Sequence, residues 1–102
     1  MSGVVYEVNL AVEVGAIDEY RAWLAAHVAE ILAIDGFTGA STWTVTDPPA
    51  AAGTVNLCVQ YALRDADALA AYLRDHAPRL RAEGIARFGE RVRATRRVLA
   101  SS

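Results

Sequence analysis

Residues 5 to 14, VYEVNLAVEV, alternate with a period of two. Tyr6, Val8, Leu10, Val12 and Val14 are all apolar, while the positions between them carry Glu7, Asn9, Ala11 and Glu13. Successive strand side chains point to opposite faces of a sheet, so this pattern requires a strand with one face on a core. A slip of one residue would carry the whole apolar set into water, so the register is tightly specified. The rest of the chain must supply a layer to cover the even face. What lies over the odd face is the question the sequence leaves open.

Gly15 breaks the strand, and AIDEYRAWLAAHVAEILAI has helical spacing. Ile17, Tyr20, Leu24, Val28, Ile31 and Leu32 recur three and four residues apart and form one apolar stripe. Asp18 and Glu19 fall in the first turn, where the helix dipole favours negative charge. Gly36 suits a left-handed C-terminal cap. A second strand is expected over Phe37 to Thr46, rich in β-branched and aromatic residues. DPPAAAG forms a loop in which two prolines prevent ladder pairing. TVNLCVQYAL, residues 54 to 63, alternates again, so the pair reads as a β-hairpin.

Asp65 is a good N-cap for a second helix, Pro78 starts a further helical segment, and Gly89 closes it. A last strand follows over roughly 90 to 99, RVRATRRVLA. The order β-α-β-β-α-β predicts an α+β ferredoxin-like fold: one four-stranded antiparallel sheet with helices on a single face. One hundred and two residues suffice for one such domain, residues 1–102, with no repeat or linker that would divide it.

A net charge of −2 argues against nucleic acid as a partner, despite the local run RVRATRR. In a strand that run divides, Arg91, Arg93 and Arg97 taking one face and Arg96 the other. Charges on an edge strand discourage unwanted pairing, and the same arginines could instead hold an anionic small molecule. No apolar run approaches the roughly 18 residues of a membrane span, and no signal peptide is visible at the N-terminus. Cys58 is the only cysteine and cannot close a disulfide within the chain, which suits a reducing, cytoplasmic setting.

With the helices over the even face of the first strand, the other face gathers Glu7, Asn9, Ala11, Asn56, Cys58, Gln60, Arg91, Arg93, Thr95 and Arg97, with Trp43 if the second strand follows suit. Ala11, Cys58 and Trp43 make this set less polar than water alone would select. It is the composition expected where two sheets meet and enclose a cavity. Glu7 and Gln60 are expected to be cross-strand neighbours. Glu7 is then either a base with a raised pKa or the partner of Arg93 in an ion pair. His27 lies near the core boundary, as a structural histidine or as an acid or base at a cavity rim. His76 is placed to cap a helix end or to bind a ligand. Trp23 falls off the main stripe of its helix, which suggests a contact with a partner subunit. The two histidines have no further ligand at metal spacing, so no metal and no cofactor are expected.

HVAEILAIDGFTGASTW resembles the His-x-x-x-x-Leu-x-x-x-Gly-Phe-x-x-Ala pattern of the dimeric α/β-barrel superfamily, which includes antibiotic-biosynthesis-type monooxygenases. His27, Leu32, Gly36, Phe37 and Ala40 carry it. The distal stretch VQYALRDADALAAYLRDHAPRLRAEGIARFGERV resembles a bacterial family of unassigned function in that superfamily. Gln60, Tyr61, Tyr72, Leu73, His76, Ala77, Pro78, Leu80, Arg81, Arg87, Phe88, Gly89 and Arg91 match its pattern. The resemblance implies a homodimer whose sheets face each other across a barrel, and it implies no activity. Three functions remain open. One is a dimeric module binding a small organic or anionic ligand between the sheets, with Glu7, Asn9, Trp43, Gln60, Arg93, His27 and His76 as candidate contacts. Another is a cofactor-independent monooxygenase or isomerase acting on an aromatic or polyketide-like compound, with Glu7 or His27 beside Trp43 and Tyr6. The third is a purely structural dimer.

Overall fold

Alternating strands and stripe-bearing helices assemble as the patterning requires. The computed structural model describes residues 3–102. Strand β1 spans Val4–Glu13, helix α1 Ile17–Leu32, strands β2 and β3 Phe37–Thr44 and Thr54–Leu63, helices α2 and α3 Ala66–Asp75 and Ala77–Phe88, and strand β4 Val92–Ala100. The strands form one antiparallel sheet in the order β2-β3-β1-β4. This is the ferredoxin-like arrangement expected from the sequence, with β1 and β3 central and β2 and β4 at the edges.

The even residues of β1 and the odd residues of β3 face the helices. Tyr6, Leu10 and Val12 are buried there with Leu57, Val59, Tyr61 and Leu63. Onto them α1 lays Tyr20, Leu24 and Ile31, α2 lays Leu69 and Tyr72, and α3 lays Leu80 and Phe88. Burying a Leu- or Ile-sized side chain contributes about 1.5–3 kcal/mol, so this layer fixes the helices far more firmly than their propensities do. Asp65 caps α2 as expected, its Oδ1 accepting from the Ala68 N–H at 2.8 Å. Pro78 sits in the first turn of α3. No helix is long and apolar enough to cross a membrane among the described residues.

Several expectations are corrected in detail. β1 ends at Glu13, because Val14–Ala16 forms a 3-10 turn that leads into α1. β2 ends at Thr44, although the Val45 N–H still donates to the Asn56 carbonyl. Gly36 does adopt positive φ, at 95°, but α1 is capped earlier by Ala33. Its requirement for glycine is steric as well: a Cβ there would come within 2.5 Å of the Ala68 Cβ on α2. Arg91 does not lie on the open sheet face, since residues 89–91 turn before β4 begins. Its guanidinium instead donates to the Phe88 and Arg87 carbonyls at the end of α3.

Trp23 is half-buried against the core rather than exposed. It stands three residues after Tyr20 and four before His27, which places all three on one side of α1. Its ring stacks on His27 at 4.5 Å and packs against Phe88 at 5.6 Å. Gly84 of α3 makes room for it, because a Cβ there would lie 3.2 Å from the indole.

Candidate functional site

The two faces of the sheet hold different chemistry. On the open face, Glu7 stands opposite Gln60 on one side and Arg97 on the other. Gln60 Nε2 donates to one carboxylate oxygen and Asn9 Nδ2 to the other, each at 2.9 Å, and Arg97 Nε donates to the second as well. These partners cover the carboxylate so fully that Glu7 is only 3% exposed, although no helix lies over it. The expected pairing of Glu7 with Gln60 is met. The ion pair is with Arg97, however, because the register sets Arg93 opposite Ala11.

That network also reverses the expectation of a raised pKa. The hydrogen bonds from Arg97, Gln60 and Asn9 favour the ionised form and outweigh desolvation, holding the Glu7 carboxyl at about 2. A group so acidic is a fixed charge at neutral pH and a poor base. Trp43 shares this face opposite Cys58, with its Nε1 on the Ser41 hydroxyl, and is 59% exposed. Burial and the neighbouring Glu7 charge push the half-buried Cys58 thiol up.

The cavity lies on the other side. A pocket of about 100 Å³ opens between the sheet and helices α1 and α3. All four tyrosines of the chain, Tyr6, Tyr20, Tyr61 and Tyr72, line it, together with Trp23 and His27. Its exposed lining residues include Arg81 and Ile85 of α3 and Ala94 and Arg96 of β4, so the mouth opens beside the β4 edge. There the helix-side residues of the strand, Ala94, Arg96 and Val98, remain exposed. The pairing of Glu7 or His27 with Trp43 and Tyr6 is therefore not assembled. Tyr6 and His27 face the cavity, whereas Glu7 and Trp43 lie on the far side of the sheet.

Burial governs the ionisation of the cavity wall. It pushes the Tyr20 and Tyr72 hydroxyls up to about 12 and the Tyr61 hydroxyl higher still, so all three are neutral hydrogen-bonding groups. It also lowers His27, with Arg96 acting in the same direction against Glu30 and Glu83, so the imidazole is uncharged at neutral pH. His27 Nδ1 is buried and has no partner among the described residues. An unsatisfied polar atom of this kind costs about 1–3 kcal/mol. Tyr6 accepts a 2.9 Å hydrogen bond from Arg81 Nη2.

His76 is apart from both faces. It joins α2 to α3, with its backbone N–H on the Tyr72 carbonyl. It is the C-cap of α2, at the helix end where it was expected, but that cap is made by its backbone N–H, and its ring lies nearly parallel to Tyr72 at 6.4 Å. The residues that sequence reasoning passed over are Tyr20, Tyr61, Tyr72, Arg81 and Arg96. Two signals pointed to four of these five, Arg81 being the exception: tyrosine rather than phenylalanine at repeated core positions, and Arg96 at a helix-facing position of the last strand.

A family model spans residues 3–102 and is described as Domain of unknown function (DUF4286). The chain belongs to this family. No curated protein sequence matches it. Among solved structures it is similar to SnoaB, a cofactor-independent oxygenase from Streptomyces nogalater, at 16% identity and a TM-score of 0.72, covering 99% of this chain and 95% of that one. It is similar to Rv0793 from Mycobacterium tuberculosis at 23% identity and a TM-score of 0.71, covering 99% and 96%. Their folds agree with the ferredoxin-like arrangement expected from the sequence. A de novo designed protein, Foldit4, also matches, at 13% identity, a TM-score of 0.63 and coverage of 99% and 100%. At these identities the likeness is one of fold, and a fold hosts many functions.

Proposed function

We propose that this DUF4286 protein binds a small, largely apolar organic molecule in the cavity between its helices and its sheet. The observation that carries this reading is the concentration of all four tyrosines, with Trp23 and His27, around one opening of about 100 Å³. Apolar walls with a few convergent polar groups are the usual character of a ligand site. We place the ligand on the helix side of the sheet, rather than between two sheets. The open face, with the Glu7 network and the exposed Trp43, is then the surface through which two copies associate.

The experiment is a fragment screen by two-dimensional amide and indole NMR, using one- and two-ring compounds. The two tryptophans serve as separate reporters, since Trp23 lines the cavity and Trp43 does not. Compounds that shift the Trp23 indole and leave the Trp43 indole in place are the expected result. A screen in which no compound perturbs Trp23, or in which every binder perturbs only Trp43, overturns the reading. Turnover would have to rest on His27 and the tyrosines, because Glu7 is on the wrong face and is a weak base.

A further inference from the structure

The chain carries more acidic than basic residues, twelve against ten, yet its cavity is lined by two arginines and by no aspartate or glutamate. The sequence contains no lysine, so every basic residue counted is an arginine. Arg64, Arg74, Arg79, Arg87, Arg91 and Arg97 each have a carboxylate within 4.0 Å. Among the described residues Arg21, Arg81, Arg93 and Arg96 have none, and two of these four stand at the cavity mouth.

The two reach the mouth from different elements, Arg81 from α3 and Arg96 from β4. Arg81 is oriented by its bond to the Tyr6 hydroxyl at 2.9 Å. A phenol that accepts a hydrogen bond still has its own O–H to donate, so Tyr6 adds a donor beside the guanidinium. The Arg96 charge is felt by His27, Tyr20, Tyr61 and Tyr72, the groups that wall the interior. An arginine guanidinium is a planar fork that matches a carboxylate with two parallel hydrogen bonds.

We propose that the cavity takes a small aromatic carboxylate, its ring among the tyrosines and Trp23 and its acid group at the mouth between Arg81 and Arg96. This rests on the cavity being a ligand site. It adds the charge and the orientation of the occupant: the ring enters first and the anion remains near solvent. That arrangement avoids carrying a full charge into the apolar interior, where desolvation would be most costly. A neutral ring of the same shape would leave both guanidinium groups without a counter-ion.

Benzoate and its uncharged analogue benzamide make the test, titrated into wild type, Arg81→Gln, Arg96→Gln and Arg21→Gln at low salt, with Trp23 as reporter. Arg21 is a fair control, being exposed, unpaired and bonded only to the Thr44 hydroxyl. Amide spectra establish that each variant is folded. The expected result is that benzoate binds wild type at least about tenfold more tightly than benzamide, the equivalent of about 1.4 kcal/mol. Arg81→Gln and Arg96→Gln should each reduce that preference severalfold, and Arg21→Gln should retain it. Equal binding of acid and amide at Trp23 overturns the anion assignment and leaves the cavity reading standing. A preference that survives both cavity substitutions also overturns it. Failure of both probes at Trp23 overturns the assignment, and the cavity reading falls with it only if the broader fragment screen is also silent there.

Discussion

Replacing Glu7 by Gln keeps the shape of the side chain and removes the charge toward which Arg97, Gln60 and Asn9 all point. In the folded chain the carboxyl is held at about 2, against an ordinary value of 4.5. A depressed value means that the folded protein binds this proton less readily than the unfolded chain does. The network therefore contributes fully above pH 4.5, fades as the pH falls toward 2, and is absent below both values. At 1.36 kcal/mol for each factor of ten in proton affinity, the ceiling is about 3 kcal/mol. Arg97 is largely in solvent, where ion pairs are screened, so a loss of about 1–2 kcal/mol is the expectation at neutral pH. Urea denaturation of wild type and Glu7→Gln at pH 7 and pH 3 measures it. The variant should be less stable at pH 7, and less than half of the gap should remain at pH 3. Added salt should narrow the gap at pH 7, since Arg97 is exposed. A gap that is absent at pH 7, or that is the same at pH 3, would refute the reasoning.

Gly36→Ala should destabilise the fold by about 1–3 kcal/mol, since it strains a residue at positive φ and drives a methyl into Ala68; thermal unfolding reads it. Asp65→Ala removes the N-cap of α2 and should cost about 1 kcal/mol in urea, while Asp65→Asn should recover most of the loss. If two copies meet through the open sheet face, Trp43→Asp buries a charge where an aromatic anchor was. The dimer should then weaken at least about thirtyfold, the equivalent of about 2 kcal/mol. Light scattering behind size-exclusion chromatography checks this, expecting twice the chain mass for wild type and the chain mass for the variant. A wild-type protein at the chain mass at high concentration removes the basis for the interface.

Much of the architecture was legible because local patterns and tertiary contacts agree. Alternation in β1 and β3 named both faces of the sheet, and the register then brought Glu7 opposite Gln60 as expected. Pro78 and Asp65 marked helix starts that the structure uses. The site was less legible, for reasons that can be stated residue by residue. Whether Glu7 meets Arg93 or Arg97 depends on the register of β4 against β1, which pairs Glu7 with Arg97 and Ala11 with Arg93 and which the alternation of the arginine run leaves open. The pKa of Glu7 depends on how many donors converge on it, which no spacing in one strand reveals. Trp23 was misread because its neighbour Leu24 lies on the main stripe, while the gap over Gly84 that receives the indole is on another helix.

By itself the sequence determined the order of elements, the core-facing side of each central strand and the separation of polar from apolar faces. These follow from periods of 2 and 3.6 residues, which are properties of the local chain. The cavity was decided only by the tertiary structure. It exists because the helix layer leaves the β4 edge uncovered, so Arg96 and Ala94 stay exposed beside a gap that tyrosines from β1, α1, β3 and α2 surround. Each tyrosine lies on an apolar stripe of its own element, and read singly it is a core residue. Their convergence on one opening, with two unpaired guanidinium groups at its mouth, is a relation among five elements and α3. It is set by how the layers pack, which the local periods leave free.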